Sequence, residues 1–165
     1  MTRTRTLSTI VAAGTLGLLT LASSAAADDR CAPVSGFYEE HETSGADCTS
    51  PVGLCIVVDY HGDLTSTLTG QATSIVPSAD TPTTSVLAFT SNSRFTGRVR
   101  GRRGTLDIRN AGAFRTAGSG SIVDLQTVIG GTGDLAGVSG EVRASGTFSP
   151  TTGGRSTYTG SLCRP

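Results

Sequence analysis

Two short runs hold the residues of this chain best suited to acid–base chemistry. In the run Gly36 to Glu42, a strand that turns Phe37 to an apolar interior turns Glu39 and His41 with it. A carboxylate buried beside an imidazole has the raised pKa that a general acid or base needs. In Ile56-Val57-Val58-Asp59-Tyr60-His61 the period of two sets Asp59 and His61 on one face. Each pair also has a simpler reading. Glu39-Glu40-His41-Glu42 reads as a solvated strand end, and Asp59 and His61, standing just before Gly62-Asp63, read as residues flanking a turn. Serine is plentiful, yet no Gly-x-Ser-x-Gly elbow with a placed His and acid occurs, so a hydrolase triad has no support.

The cysteines suit staples better than ligands. The spacing of Cys48 and Cys55 is not a zinc signature, and only His41 and His61 are available to complete a metal site. Four cysteines allow three pairings. The pairing expected is Cys48 with Cys55, around a stretch where Pro51 and Gly53 turn the chain back, and Cys31 with Cys163, tying the two ends together. In the chain-entropy picture the short loop is worth about 2.5 kcal/mol and the long one about 5 kcal/mol. The chain carries no motif that calls for a metal or a cofactor: Gly130-Gly131-Thr132-Gly133 resembles a phosphate cradle but lacks the lysine and the long helix of a P-loop.

Disulfides imply an oxidising compartment, and the first 27 residues agree. Arg3 and Arg5 precede an apolar stretch from Leu7 to Leu21 and an Ala25-Ala26-Ala27 cleavage site, the layout of a secretory signal. The apolar stretch falls short of the roughly 20 residues of a membrane span. Removing 27 of 165 residues leaves 138, expected to form one domain, residues 28–165. Arginine falls from 13 to 11 against 13 acidic residues, a net charge of about −2 that favours neither nucleic acid nor an anionic membrane.

The elements that must position any site read as strands. From Asp28 onward there is no heptad and no sustained 3.6-residue pattern, and nine alternating runs appear: 36–42, 53–61, 64–75, 85–91, 94–102, 105–113, 121–130, 140–149 and 156–163. Nine runs lie within one of a closed, all-β, antiparallel eight-stranded up-and-down barrel. Phe95 to Gly112 makes the best-defined hairpin. An even loop within Gly101-Arg102-Arg103-Gly104 sets Arg98 opposite Asp107 and Val99 opposite Leu106, turning Val99, Leu106 and Ile108 inward and the arginines to water. In 121–130 the expected inner face is Val123, Leu125, Thr127 and Ile129; in 140–149 it is Val142, Ala144, Gly146 and Phe148.

Phe95-Thr-Gly, Gly101-Arg-Arg-Gly-Thr-Leu-Asp-Ile-Arg-Asn-Ala-Gly and Val128-Ile-Gly-Gly-Thr-Gly-Asp-Leu-Ala-Gly-Val-Ser-Gly, in that order and spacing, resemble the bacterial domain of unknown function numbered 3224. That domain sits within the allene oxide cyclase barrel-like group, which also resembles plant dirigent proteins. The likeness runs from about Gly62 to Gly160. It implies an eight-stranded barrel with an axial cavity, and relatives that are cyclases, isomerases or stereochemical guides acting on apolar molecules. The export signal and the cysteine pairs depart from the family pattern, and no family catalytic residue maps onto a position here.

The expected function is a secreted barrel binding a small apolar molecule in a lumen lined by Phe37, Val57, Phe89, Val99, Leu106, Ile108, Val123, Leu125, Val142 and Phe148. An exported cyclase or isomerase would add a buried ionisable group from Glu39, His41, Asp59 or His61; a structural surface protein with a packed interior is the third reading. Exported protein is expected to begin near Asp28 and to have an intact mass four hydrogens below that of the reduced chain. Four alkylatable thiols in freshly secreted, non-reduced material would rule this out.

Overall fold

The computed structural model describes residues 30–43, 47–116, 120–149 and 151–165. The expected signal, residues 1–27, lies outside the described residues. Eight strands follow one another in sequence: β1 (Cys31–Thr43), β2 (Cys55–Gly62), β3 (Leu64–Thr81), β4 (Thr84–Val99), β5 (Arg102–Arg115), β6 (Gly120–Gly133), β7 (Ser139–Ser149) and β8 (Gly153–Cys163). Each pairs antiparallel with the next, and β1 pairs with β8 from Cys31↔Cys163 to Glu40↔Gly154, closing the barrel in up-and-down order. Closure leaves no pair of edges along the body of the sheet. Both expected disulfides are present, Cys31–Cys163 across the closing seam and Cys48–Cys55 in the β1–β2 connection.

The β4–β5 hairpin turns two residues earlier than its glycines indicate. Arg100 and Gly101 have φ of +48° and +83° and form the two-residue turn, so Val99 pairs with Arg102 and Arg98 with Arg103. Asp107 lies opposite Arg94, not Arg98, and binds it at 2.8 Å. Positive φ at both central positions is the primed turn that matches strand twist, and it needs glycine at only one of them. The two-residue offset keeps the parity, so Val99, Leu106 and Ile108 still face inward.

Two expectations fail for a common reason. The runs 85–91 and 94–102 belong to the single strand β4, because Ser91 and Ser93, which read as a break, are buried interior residues. The facing of β6 is inverted: Ile122, Gln126 and Val128 are buried, whereas Val123 and Ile129 are each 56 % exposed and Leu125 lies on their outward face. Polar residues at interior positions defeat an apolar-inside rule. In β7 the rule holds, with Val142, Ala144 and Phe148 buried.

The interior is layered. At the end formed by the β2–β3, β4–β5 and β6–β7 turns, Val34, Leu64, Val99, Leu106, Val142 and Leu162 pack under Leu135 and Val138, which the β6–β7 turn carries inward. Above them Tyr38, Tyr60, Phe95 and Tyr158 fill the lumen; the Tyr60 ring sits 5.0 Å from Tyr38, 5.8 Å from Phe95 and 5.4 Å from Tyr158. Gly36 makes room for this plug, since a Cβ there would fall 2.5 Å from Tyr158 Oη. Tyr158 Oη accepts from Leu64 N at 2.9 Å and donates to His61 O at 3.2 Å. A second, smaller apolar cluster of Phe114, Ile122 and Phe148 occupies the opposite end.

The facing of β6 is directly testable by chemical denaturation. Val123→Ser, on the outer surface, should change stability by no more than about 0.5 kcal/mol, whereas Ile122→Ala should cost about 2–5 kcal/mol as an emptied core position. The reverse ranking would restore the facing read from sequence.

Candidate functional site

Between the two apolar clusters lies a belt of buried polar side chains. Glu40 of β1, Ser91 and Ser93 of β4, Asn110 of β5, Gln126 of β6 and Ser156 of β8 are each 7 % exposed or less. Asp124 of β6 completes the belt. Strand periodicity places them: Glu40 follows Val34 and Tyr38 on the inward face of β1, and Asp124 lies between Ile122 and Gln126 on that of β6.

A chain of hydrogen bonds joins the belt. Ser93 Oγ donates to Asn110 Oδ1 at 2.9 Å, and Asn110 Nδ2 donates to Asp124 Oδ2 at 2.9 Å. Gln126 Nε2 donates to the same oxygen at 2.9 Å and its Oε1 accepts from Tyr60 Oη at 2.8 Å. Among the described residues, two buried carboxyl oxygens, Glu40 Oε1 and Asp124 Oδ1, have no hydrogen-bond partner. An unpartnered buried carboxyl oxygen costs free energy, so groups of this kind mark a place where something else binds or reacts.

Electrostatics act on the same pair. Burial, reinforced by the negative charge of Asp124, pushes Glu40 from 4.5 up to about 8. Burial also raises Asp124, against the two amide donors that stabilise its carboxylate. Tyr60 is held well above its ordinary range by burial and then by Asp124. Glu40 is thus a neutral carboxylic acid at pH 7, able to donate a hydrogen bond or a proton, beside a second carboxyl oriented by Asn110 and Gln126.

Both carboxyls line an interior cavity of about 40 Å³, walled by Leu54, Ile56, Phe89, Phe114, Ile122 and Phe148. That space holds about one water molecule. Among the described residues, the tyrosine and phenylalanine plug fills the middle of the lumen in which a ligand-sized space is expected from sequence. Four of the residues expected to line it stand elsewhere: Phe37, Val57, Val123 and Leu125 lie on the outward faces of β1, β2 and β6. Leu106, Ile108 and Val142 are inside in the main core, Val99 is inside at the opposite end of the barrel, and of the expected lining residues Phe89 and Phe148 reach the cavity.

The four expected acid–base candidates lie on the exterior and do not assemble. Glu39 pairs with Arg155 at 3.0 Å, His41 is exposed, Asp59 accepts from Thr67 Oγ1 at 3.1 Å, and His61 stacks on Phe37 with ring centroids 4.7 Å apart. Arg155 covers the Phe37 ring at 4.0 Å, which explains why an aromatic residue sits outside. Sequence reasoning missed Glu40 and Asp124 because apolar residues on the outward faces, Phe37 of β1 and Val123 and Leu125 of β6, suggested the opposite facing. The usable signal was Tyr38 and Glu40 sharing parity with Val34, a face that is apolar at its start.

The raised carboxyls make stability fall with rising pH. The folded chain retains a proton on Glu40 that the unfolded chain releases above about 4.5, so this contribution is complete below that pH and is lost as pH rises towards about 8. The wild-type unfolding free energy should decline across this window, by at most about 1.4 kcal/mol per pH unit for one such group. Glu40→Gln should flatten the profile; an unchanged slope in the variant would show that Glu40 titrates normally.

Comparison with known proteins places this site within a family whose activity is open. No curated protein and no solved structure matches the chain. A family model described as Protein of unknown function (DUF3224) matches residues 34–160, a span from the first interior residue of β1 into β8 that includes Glu40, Asp124 and every other belt residue. The chain belongs to the DUF3224 family.

Proposed function

We propose that the barrel binds a small, mainly apolar molecule at the cavity end, holding one polar atom of it between Glu40 and Asp124. The observation that carries this reading is the pair of unpartnered carboxyl oxygens facing a cavity with apolar walls. A hydroxyl or carbonyl oxygen is the right size for the cavity, and protonated Glu40 supplies the donor that a carbonyl requires. Ile56, Phe89, Phe114 and Phe148 then contact the apolar body, which rests at the mouth and not in the lumen. The two disulfides fit an oxidising compartment, and with the basic and apolar N-terminal run they support export.

A second reading has its own support. A carboxylic acid with a pKa of about 8 beside a second carboxyl has the protonation states that a proton shuttle needs, as in cyclases and isomerases. The resemblance to the allene oxide cyclase barrel-like group points the same way.

Titration of 15N-labelled protein with cyclohexanone separates these readings. Binding should shift the amides of Phe89, Phe114, Ile122 and Phe148, and Glu40→Ala should weaken it by about tenfold. Shifts confined to other surfaces, or affinity unaffected by the substitution, would refute the binding site. If 3-cyclohexenone is converted to its conjugated isomer with a rate that follows a group titrating near pH 8 and is lost in Glu40→Gln, proton transfer is added to binding.

A further inference from the structure

The opposite end of the barrel carries a second cavity of different chemistry. It encloses about 230 Å³. Its floor is Val34, Val99, Leu135, Val138 and Leu162, and its rim holds Arg100, Arg102 and Arg164. The fold brings these guanidinium groups together from distant parts of the sequence. Arg100 is in the β4–β5 turn and Arg102 opens β5. Arg164 follows β8 and is fixed by its N–H to Arg30 O at 2.8 Å, next to the Cys31–Cys163 disulfide. A shallower hollow of about 380 Å³ continues from it past Arg30, Arg102 and Arg164 to Asp134.

Among the described residues, Arg100 is the one rim arginine with an acidic partner. Asp63 accepts from Ser35 N at 2.9 Å and lies 3.7 Å from Arg100. Asp134 accepts from the backbone N–H of Arg103 at 3.3 Å. Among the described residues, neither Arg102 nor Arg164 has an ion-pair partner. Arginine left unpaired around an apolar floor matches a ligand with a planar anion on an apolar body, because guanidinium binds carboxylate through two parallel hydrogen bonds.

We propose that this end of the barrel is a binding site for small apolar carboxylic acids, with the ring or branched chain on the Val99, Leu135 and Leu162 floor and the carboxylate held by Arg102 and Arg164. The volume lies below the range of drug-sized pockets, so a single-ring acid fits and a long acyl chain does not. The floor is what separates this site from a plain anion patch: an inorganic ion gains nothing from it. The aromatic plug of Tyr38, Tyr60, Phe95 and Tyr158 separates this cavity from Glu40, so the two ends bind independently.

Isothermal titration of the full, disulfide-bonded chain with benzoate, benzyl alcohol and inorganic phosphate tests the proposal. Benzoate should bind, benzyl alcohol at least about tenfold more weakly, a difference of about 1.4 kcal/mol or more, and phosphate more weakly than benzoate. Arg102→Gln and Arg164→Gln should each weaken benzoate about fivefold or more without changing the melting temperature, and Glu40→Gln should leave it unchanged. Added salt should reduce the affinity. Equal binding of benzyl alcohol would show that the arginines are idle, and equal binding of phosphate that the apolar floor is. Either result overturns the proposal, as does benzoate binding that is insensitive to both arginine substitutions or lost in Glu40→Gln.

Discussion

Tyr60 is the side chain through which the two halves of the interior are joined. Its ring packs against Tyr38, Phe95 and Tyr158, the plug that fills the lumen, and its hydroxyl donates to Gln126, which in turn holds Asp124. A buried tyrosine hydroxyl needs a partner, and Gln126 is the partner β6 supplies. The inward facing of Asp124 and Gln126 follows from that bond as much as from strand geometry. Tyr158 does the equivalent work on the other side of the plug, where its hydroxyl holds the backbone of Leu64 and His61 at the β2–β3 turn.

The plug decides what the barrel can do. An eight-stranded barrel is at the size where side chains either fill the inside or leave space for one ligand. Here four aromatic rings fill its middle, with Phe95 and Tyr158 edge-on to Tyr60 and Tyr38 tilted against it, and the carboxyl-lined and arginine-rimmed cavities lie on either side of them. The polar belt then sits on top of the plug, roofed by Phe89, Phe114, Ile122 and Phe148. Buried this way, a carboxyl group cannot stay charged without a partner, and Glu40, which has none of the donors that Asp124 enjoys, keeps its proton.

The ends differ in chemistry as well as in depth. One concentrates two carboxyls in a cavity about the size of a water molecule, with apolar walls. The other gathers arginines around a larger apolar hollow, where tight turns and the seam disulfide bring sequence-distant residues to one rim. The arginines cluster at one end although the chain as a whole is close to neutral. Net charge describes the molecule at a distance, whereas recognition depends on the local field at each mouth.

Sequence alone determined the all-β character, with strands of period two and turns punctuated by glycine, and pointed to the barrel and to one of the three possible cysteine pairings, both of which the structure bears out. It also determined the facing of β7 and of the β4–β5 hairpin, where inner positions are apolar. The facing of β6, the continuity of β4 through Ser91 and Ser93, and the identity of the buried acid were decided only by the tertiary structure. At Ser93 and Gln126 a polar side chain is buried because a residue distant in sequence completes its hydrogen bonds, as Tyr60 does for Gln126 across 66 positions, whereas Glu40 is enclosed by the closed barrel with one oxygen unpartnered. Hydrophobic periodicity registers which residues avoid water. It does not register which polar residues will find a partner away from it, and that is settled only when the barrel closes.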